Sequence, residues 1–436
     1  MPSEITKDRK LLHDDSEGGR NLLVLAVLSL FVGGVAGLVG AVFRLALIRL
    51  DIWRGAWIHA AHHLGWSGIF PVMAVTTLAA AIAAWLVRRF SPESSGSGIP
   101  YVEQQLRERW VGNSLPIVIV KFFGGLLAIG SGLALGREGP TIQIGASIGH
   151  FLGGIFRRNE NERRVLLAAG AGAGLATAFN APIAGAVFVL EELVASFEIP
   201  ISVATLGASA GAIGIARLML GEQPDFQVAM VKHLEIGDIA GHLVLGTVLG
   251  FVGVAYSRAI LGALAIQSRL SKIPVEWHAA AIGMIIGVLG WFAPEWIGGG
   301  DNLTQQTMNG QDMFGLTAVI FLVRFVLSPL SYSAETPGGL FAPMLTVGSQ
   351  GGLLIGWVWI HLFTKNPVVP TEFAIVGMAA LFTSVVRAPV TGIILVIELT
   401  GTFGLLLPML TAAFAAMTVA TLMKQEPIYD LLRTAR

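Results

Sequence analysis

Apolar stretches recur along the whole chain, near residues 22–49, 69–87, 115–135, 140–156, 165–190, 200–220, 238–265, 278–297, 313–332, 341–363, 373–399 and 403–422. A bilayer crossing needs roughly 20 apolar residues, so the longer stretches predict transmembrane helices. Several are short or are cut by Gly and Pro, around 96–100, 136–140, 179–182, 337–343 and 387–389. These predict broken or half-spanning helices, which lipid tolerates only where the backbone is buried in protein or lines a cavity. Trp53, Trp57, Trp66, Trp110, Trp277 and Trp296 fall near the ends of stretches, as interfacial anchors do. The pattern describes an all-α polytopic membrane protein.

The pattern also repeats. Asn180-Ala181-Pro182-Ile183-Ala184-Gly185, with Glu191 nine residues after the proline, returns as Arg387-Ala388-Pro389-Val390-Thr391-Gly392, with Glu398 nine after. Upstream, Gly136, Pro140, Gly145 and Gly149 return at the same spacing as Gly339, Pro343, Gly348 and Gly352. Two halves with interrupted segments at matching positions point to a transport site at their interface. We read a polar segment over 1–20 and one membrane domain over 21–436. Within it, one repeat covers about 69–220, a second about 238–422, and a short helix about 424–436 follows. Periodicity alone leaves open whether the halves run parallel or inverted.

Composition sharpens this picture. Charged residues make up 13% of the 436, about half the fraction usual in soluble domains. The 54 glycines suit close helix packing in lipid. Lys+Arg and Asp+Glu balance at 28 each, which gives no sign of a nucleic-acid partner. Cysteine is absent, excluding disulfides, thiolate metal sites and a cysteine nucleophile. The first apolar stretch is too long for a cleavable signal core, and no regulatory domain is expected after the last one. Lys7, Arg9, Lys10 and Arg20, then Arg88 and Arg89, predict a cytoplasmic N-terminus and a cytoplasmic loop before residue 96. The turn bearing Arg157, Arg158, Arg163 and Arg164 reads the same way.

Candidate chemistry concentrates at Gly136-Arg137-Glu138-Gly139-Pro140. A charge inside a membrane segment is costly and faces a pathway or a partner. The glycines permit tight backbone and Pro140 suits a first helical turn. Free N–H groups at a helix start form an anion site without a cationic side chain. Glu138 is then an anion placed in an anion site; the alternative is an Arg137–Glu138 ion pair.

Three ordered segments, Gly96-Ser97-Gly98-Ile99-Pro100, Gly136-Arg137-Glu138-Gly139-Pro140 and Gly339-Leu340-Phe341-Ala342-Pro343, together with the internal repeat, resemble the CLC family of chloride channels and chloride/proton exchangers. The resemblance covers nearly the whole chain and is nearest to bacterial exchangers without cytoplasmic regulatory domains. It implies an inverted-topology repeat of about eighteen tilted and broken helices. It further implies a homodimer with one pathway per subunit and no cofactor, in a bacterial plasma membrane with both termini cytoplasmic. By the same resemblance Ser97, Tyr429 and the backbone N–H groups of Leu340 and Phe341 bind chloride. Glu138 is then the gate and external proton site, and Glu192 the internal proton site, where family channels usually carry an apolar residue. Glu103 is expected to support Glu192 by hydrogen bonding and Arg137 to support the site. Ser97 in place of proline implies chloride over nitrate, and GREGP argues against fluoride.

Two positions depart from relatives. Tyr101 follows GSGIP where many carry an acidic residue. Glu335, in Ala334-Glu335-Thr336, stands where smaller neutral residues are usual, and bears on anion access in a direction the sequence leaves open.

The expected activity is chloride/proton antiport. Its rival within the same fold is a passive chloride channel, against which Glu138 and Glu192 speak as a pair. Intramembrane enzyme and receptor readings lack support. Gly207-Ala208-Ser209-Ala210-Gly211 reads as a packing face rather than a serine nucleophile. His59 stands three and four residues before His62 and His63, a step that puts two imidazoles on one helix face, but no clear third ligand accompanies them and no metal is expected.

Overall fold

The computed structural model describes residues 3–108, 114–228, 239–310, 313–363 and 370–434, without the side chains of 3–20. Trp110 and the side chains of Lys7, Arg9, Lys10 and Arg20 lie outside the described residues. Seventeen α-helices follow one another among the described residues. They are α1 (Ser3–His62), α2 (Ile69–Phe90), α3 (Ile99–Glu108), α4 (Ser114–Gly130), α5 (Glu138–Ile155), α6 (Glu160–Phe179), α7 (Pro182–Phe188) and α8 (Ile199–Leu220). Then come α9 (Ile239–Arg269), α10 (Val275–Phe292), α11 (Asp301–Met308), α12 (Phe314–Tyr332), α13 (Phe341–Phe363), α14 (Pro370–Val386), α15 (Pro389–Thr400), α16 (Leu406–Leu422) and α17 (Ile428–Thr434). Among the described residues, eight helices are long and apolar enough to cross a membrane. The resemblance implies about eighteen helices; here the polar start and the first apolar stretch share the single helix α1.

Packing repeats as the sequence does. α5 lies on α6 as α13 lies on α14; α1 lies on α8 and α6 as α9 lies on α16 and α14. α4 meets α5 as α12 meets α13, while α2 against α10 and α7 against α15 join the halves. The recurrence therefore takes in α1, ahead of the 69–220 boundary read from sequence. Each broken stretch has a local cause. α6 stops at Asn180, whose φ of 51° lies in the left-handed region Asn tolerates, and Pro182 starts α7. In the second half Arg387 holds the equivalent turn at φ 72°. Its guanidinium donates to the Met417 carbonyl, the Thr421 hydroxyl and the Gln425 carbonyl at 2.8, 2.8 and 3.1 Å.

The halves cap one another. Glu191 accepts from the Val390 and Thr391 N–H groups at 3.1 and 2.7 Å, and from the Thr391 hydroxyl at 2.7 Å. Glu398 accepts from the Ile183 and Ala184 N–H groups at 3.1 and 2.8 Å. Such reciprocity is what a two-fold relation between halves produces.

Small residues bring helices together. Gly207 and Gly211 ride on α1 beside Ser29 and Leu30, so the GASAG stretch packs α8 against α1. His62 stacks on Trp291 with ring centroids 3.9 Å apart, and its two ring nitrogens meet the Ile58 and Trp291 carbonyls at 2.8 and 3.1 Å. It serves as a packing residue.

Candidate anion and proton site

Three interrupted stretches converge at the centre of the protein. The Gly136 and Gly339 backbones pair antiparallel, Gly136 N–H to Gly339 O at 2.8 Å and the reverse at 2.7 Å. Behind them start α5 and α13, and α3 starts two residues after Ser97. Helix N-termini thus meet from both halves, with their unpaired N–H groups and positive dipole ends. The approach needs glycine. A Cβ on Gly339 would lie 2.7 Å from the Glu138 carboxyl carbon, and Gly98, at φ 82°, would place one 2.7 Å from the Gln143 amide carbon.

Glu138 has no solvent exposure. Its Oε1 accepts from the Phe341 N–H at 2.6 Å, while Oε2 has no hydrogen-bond partner among the described residues. The carboxylate of one half therefore sits on the helix N-terminus of the other. Arg137 does not pair with it. Instead Arg137 donates to Asp225 and Asp301, both at 2.9 Å, and to the Ala178 carbonyl at 2.8 Å. Arg44 adds a second ion pair to Asp225. With its guanidinium engaged by both carboxylates, the arginine holds the loop in shape.

Ser97 and Tyr429 are also fully buried. The Ser97 hydroxyl oxygen accepts from Ile99 N–H at 3.4 Å, a capping role that leaves its O–H free to donate. The Tyr429 hydroxyl lies close to Ser97 but has no partner in hydrogen-bond geometry among the described residues. A buried hydroxyl so placed is available to an anion. The Phe341 ring meets Phe382, Phe188 and Tyr429 at centroid separations of 4.7, 5.6 and 6.0 Å, which walls this space with apolar surface. The N–H of Leu340 lies beside Phe341 at the start of α13, where the sequence expects it.

Supports that the sequence did not reveal surround these groups. Lys121 is fully buried and donates to the Gly96 carbonyl at 2.6 Å, anchoring the loop before Ser97. Tyr332 accepts from the Ser97 N–H at 3.4 Å. Arg324, also fully buried, donates to the carbonyls of Trp296, Gly298 and Gly299 at 3.1, 2.7 and 2.7 Å. It thereby holds the turn that presents Asp301 to Arg137. Asp225 and Asp301 gave no motif signal; their unpaired charge between apolar stretches was the one available cue.

Glu192 lies in a π-helical turn over Val189–Leu193 that ends α7. The matching helix α15 continues as plain α-helix through Glu398 and Leu399. Such one-residue widenings re-aim side chains and concentrate at functional sites. Glu192 shares its electrostatic surroundings with Glu103, Asp430 and Arg107. The expected Glu103–Glu192 hydrogen bond is not formed. Glu103 instead faces Arg433 at 3.4 Å, where the guanidinium attracts its carboxylate. Glu103 stands on α3, outside the eight long apolar helices, and its carboxyl is pushed up to about 7 by burial and then by nearby Asp430. Tyr101 is nearly buried on the same helix, its hydroxyl accepting from the Gln105 amide at 3.5 Å.

Comparison with known proteins gives a consistent answer. Residues 79–421 match the family described as voltage gated chloride channel. The H(+)/Cl(-) exchange transporter ClcA of Salmonella arizonae is 37% identical over 97% of this chain and 90% of its own length. A slow cyanobacterial Cl−/H+ antiporter superposes with a TM-score of 0.91 at 32% identity, covering 94% of this chain and 97% of its own. A eukaryotic CLC transporter shares the fold, with a TM-score of 0.81 at 21% identity over 95% of this chain and 74% of its own. The chain belongs to the voltage-gated chloride channel family, the CLC family.

Proposed function

We propose that the protein is a multi-pass membrane antiporter that moves chloride and protons in opposite directions, working as a homodimer with one pathway in each subunit. The observation that carries this reading is Glu138: a fully buried carboxylate that accepts from the Phe341 N–H and so occupies a place built for an anion. Chloride and the ionised carboxylate compete for the same N–H dipoles. When chloride displaces the side chain, the freed carboxylate takes up a proton; when the proton leaves, the carboxylate returns and the anion moves on. One group thereby links both ions. Ser97, Tyr429 and the Leu340 and Phe341 N–H groups hold chloride through neutral donors, which bind it without trapping it. Glu192 relays the proton on the face that carries α17. The close likeness to an H(+)/Cl(-) exchange transporter supports exchange over passive conduction. The location is a bacterial plasma membrane with both termini in the cytoplasm, in line with the basic residues near the start.

The test is Glu138→Gln in purified protein in liposomes. The amide mimics the protonated side chain, so chloride flux continues and proton movement stops. Retained uphill proton transport in this variant would overturn the reading.

A further inference from the structure

A cavity of about 390 Å³ opens behind the anion site on the side of the protein that carries α17. Pro92, Ser95 and Gly96 of the loop before α3 line it, with Gln267 at the end of α9 and Tyr332 and Glu335 at the end of α12. Two of these residues are immediate neighbours of the chloride-binding serine. Gly96 precedes Ser97 in the chain, and the Tyr332 hydroxyl accepts from the Ser97 N–H at 3.4 Å. The inner wall of the cavity is thus the back of the anion site, and an ion passing between them enters beside Glu335.

Glu335 is held firmly there. Its backbone φ is 54°, a left-handed conformation that glycine adopts freely and glutamate rarely does. Its N–H donates to the Tyr332 carbonyl at 3.3 Å, which fixes the turn three residues from the tyrosine. The side chain is half-buried and forms no ion pair among the described residues, whereas Glu103 and Asp430 both engage Arg433. A strained backbone at a mouth, bearing an uncompensated charge, points to function rather than to stability. Low-dielectric walls focus the field of such a charge into the opening.

We infer that Glu335 is a fixed negative post at the α17-side entrance of the chloride pathway, and that it slows chloride turnover by repelling the ion. The inference rests on the proposed chloride function. The post acts on rate and not on coupling, because it touches neither Glu138 nor the groups that hold the anion. Chloride turnover therefore rises when the charge is removed, while the number of chlorides moved per proton stays the same. The effect weakens in high salt, where a charge at an open mouth is screened.

The experiment uses the full chain in liposomes and compares Glu335→Gln and Glu335→Asp with the wild type. The Gln variant is expected to raise chloride turnover roughly tenfold at low ionic strength and less at high, and the Asp variant to match the wild type. Because the chain has no cysteine, Glu335→Cys offers one thiol for a charge switch within a single folded sample, labelled in detergent before reconstitution. A methanethiosulfonate bearing a sulfonate should slow the Cys variant towards the wild-type rate, and one bearing a trimethylammonium should speed it. An unchanged rate in Gln, or equal slowing by both labels, would overturn the role of Glu335. A wild type that carries no chloride at all would overturn the proposed function instead, so the two failures are distinct.

Discussion

Glu191 and Glu398 cap each other's helices: the carboxylate that follows α7 closes the first turn of α15, and the carboxylate on α15 closes the first turn of α7. The exchange ties the two halves together beside the pathway and gives Glu191 a structural task. Its neighbour Glu192, re-aimed by the π-turn and matched in the second half by Leu399, has no such task.

Two adjacent glutamates should therefore fail differently. Glu191→Gln removes a charged cap and is expected to cost roughly 1–3 kcal/mol of stability, seen as a lower melting temperature in detergent, with the chloride-to-proton ratio unchanged. Glu192→Gln should melt as the wild type does and lose proton transport while chloride still flows. Uncoupling by the first substitution and not the second would reverse the assignment.

Tyr429 makes a prediction about binding. Its buried hydroxyl lacks a protein partner in hydrogen-bond geometry among the described residues, so Tyr429→Phe deletes an anion ligand and little else. A hydrogen bond to a charged group contributes roughly 1.5–3 kcal/mol. Isothermal titration with chloride should show affinity weakened by about tenfold to a hundredfold. Equal affinity would remove Tyr429 from the site.

Arg137 makes the opposite one. Its charge is committed to Asp225 and Asp301, so Arg137→Gln leaves the half-exposed Asp301 unpaired and the buried Asp225 with Arg44 alone. Losing these charged hydrogen bonds costs roughly 1.5–3 kcal/mol, to be read from chemical or thermal unfolding. The fraction that remains folded should still bind chloride. A stable variant that no longer binds chloride would make Arg137 a ligand.

Much of this architecture was legible in the sequence because the same constraints act twice. Pro140 and Pro343, and Pro182 and Pro389, mark helix starts that lipid would forbid unless backbone met backbone, and the structure brings two of those starts together at Gly136 and Gly339. What stayed hidden depends on distance along the chain. Lys121, Arg324 and Tyr332 sit in ordinary apolar helices, and only folding shows that they hold the loops before Ser97 and Asp301. The Glu103–Glu192 hydrogen bond was expected from the family resemblance, but Glu103 turns instead to Arg433, which arrives from the last helix. Continuity of α1 was equally invisible, since a polar start and an apolar stretch look like separate elements until the helix is seen to run through both.

The central claim is exchange, and proton movement by the wild-type protein tests it most directly. Liposomes loaded with high chloride are placed in low chloride, with voltage held near zero by a potassium ionophore and equal potassium on both sides, and external pH is followed. Chloride leaving should drive protons inward against their gradient, so the medium turns alkaline. Rapid chloride efflux with no change in external pH would contradict the account and make the protein a passive channel.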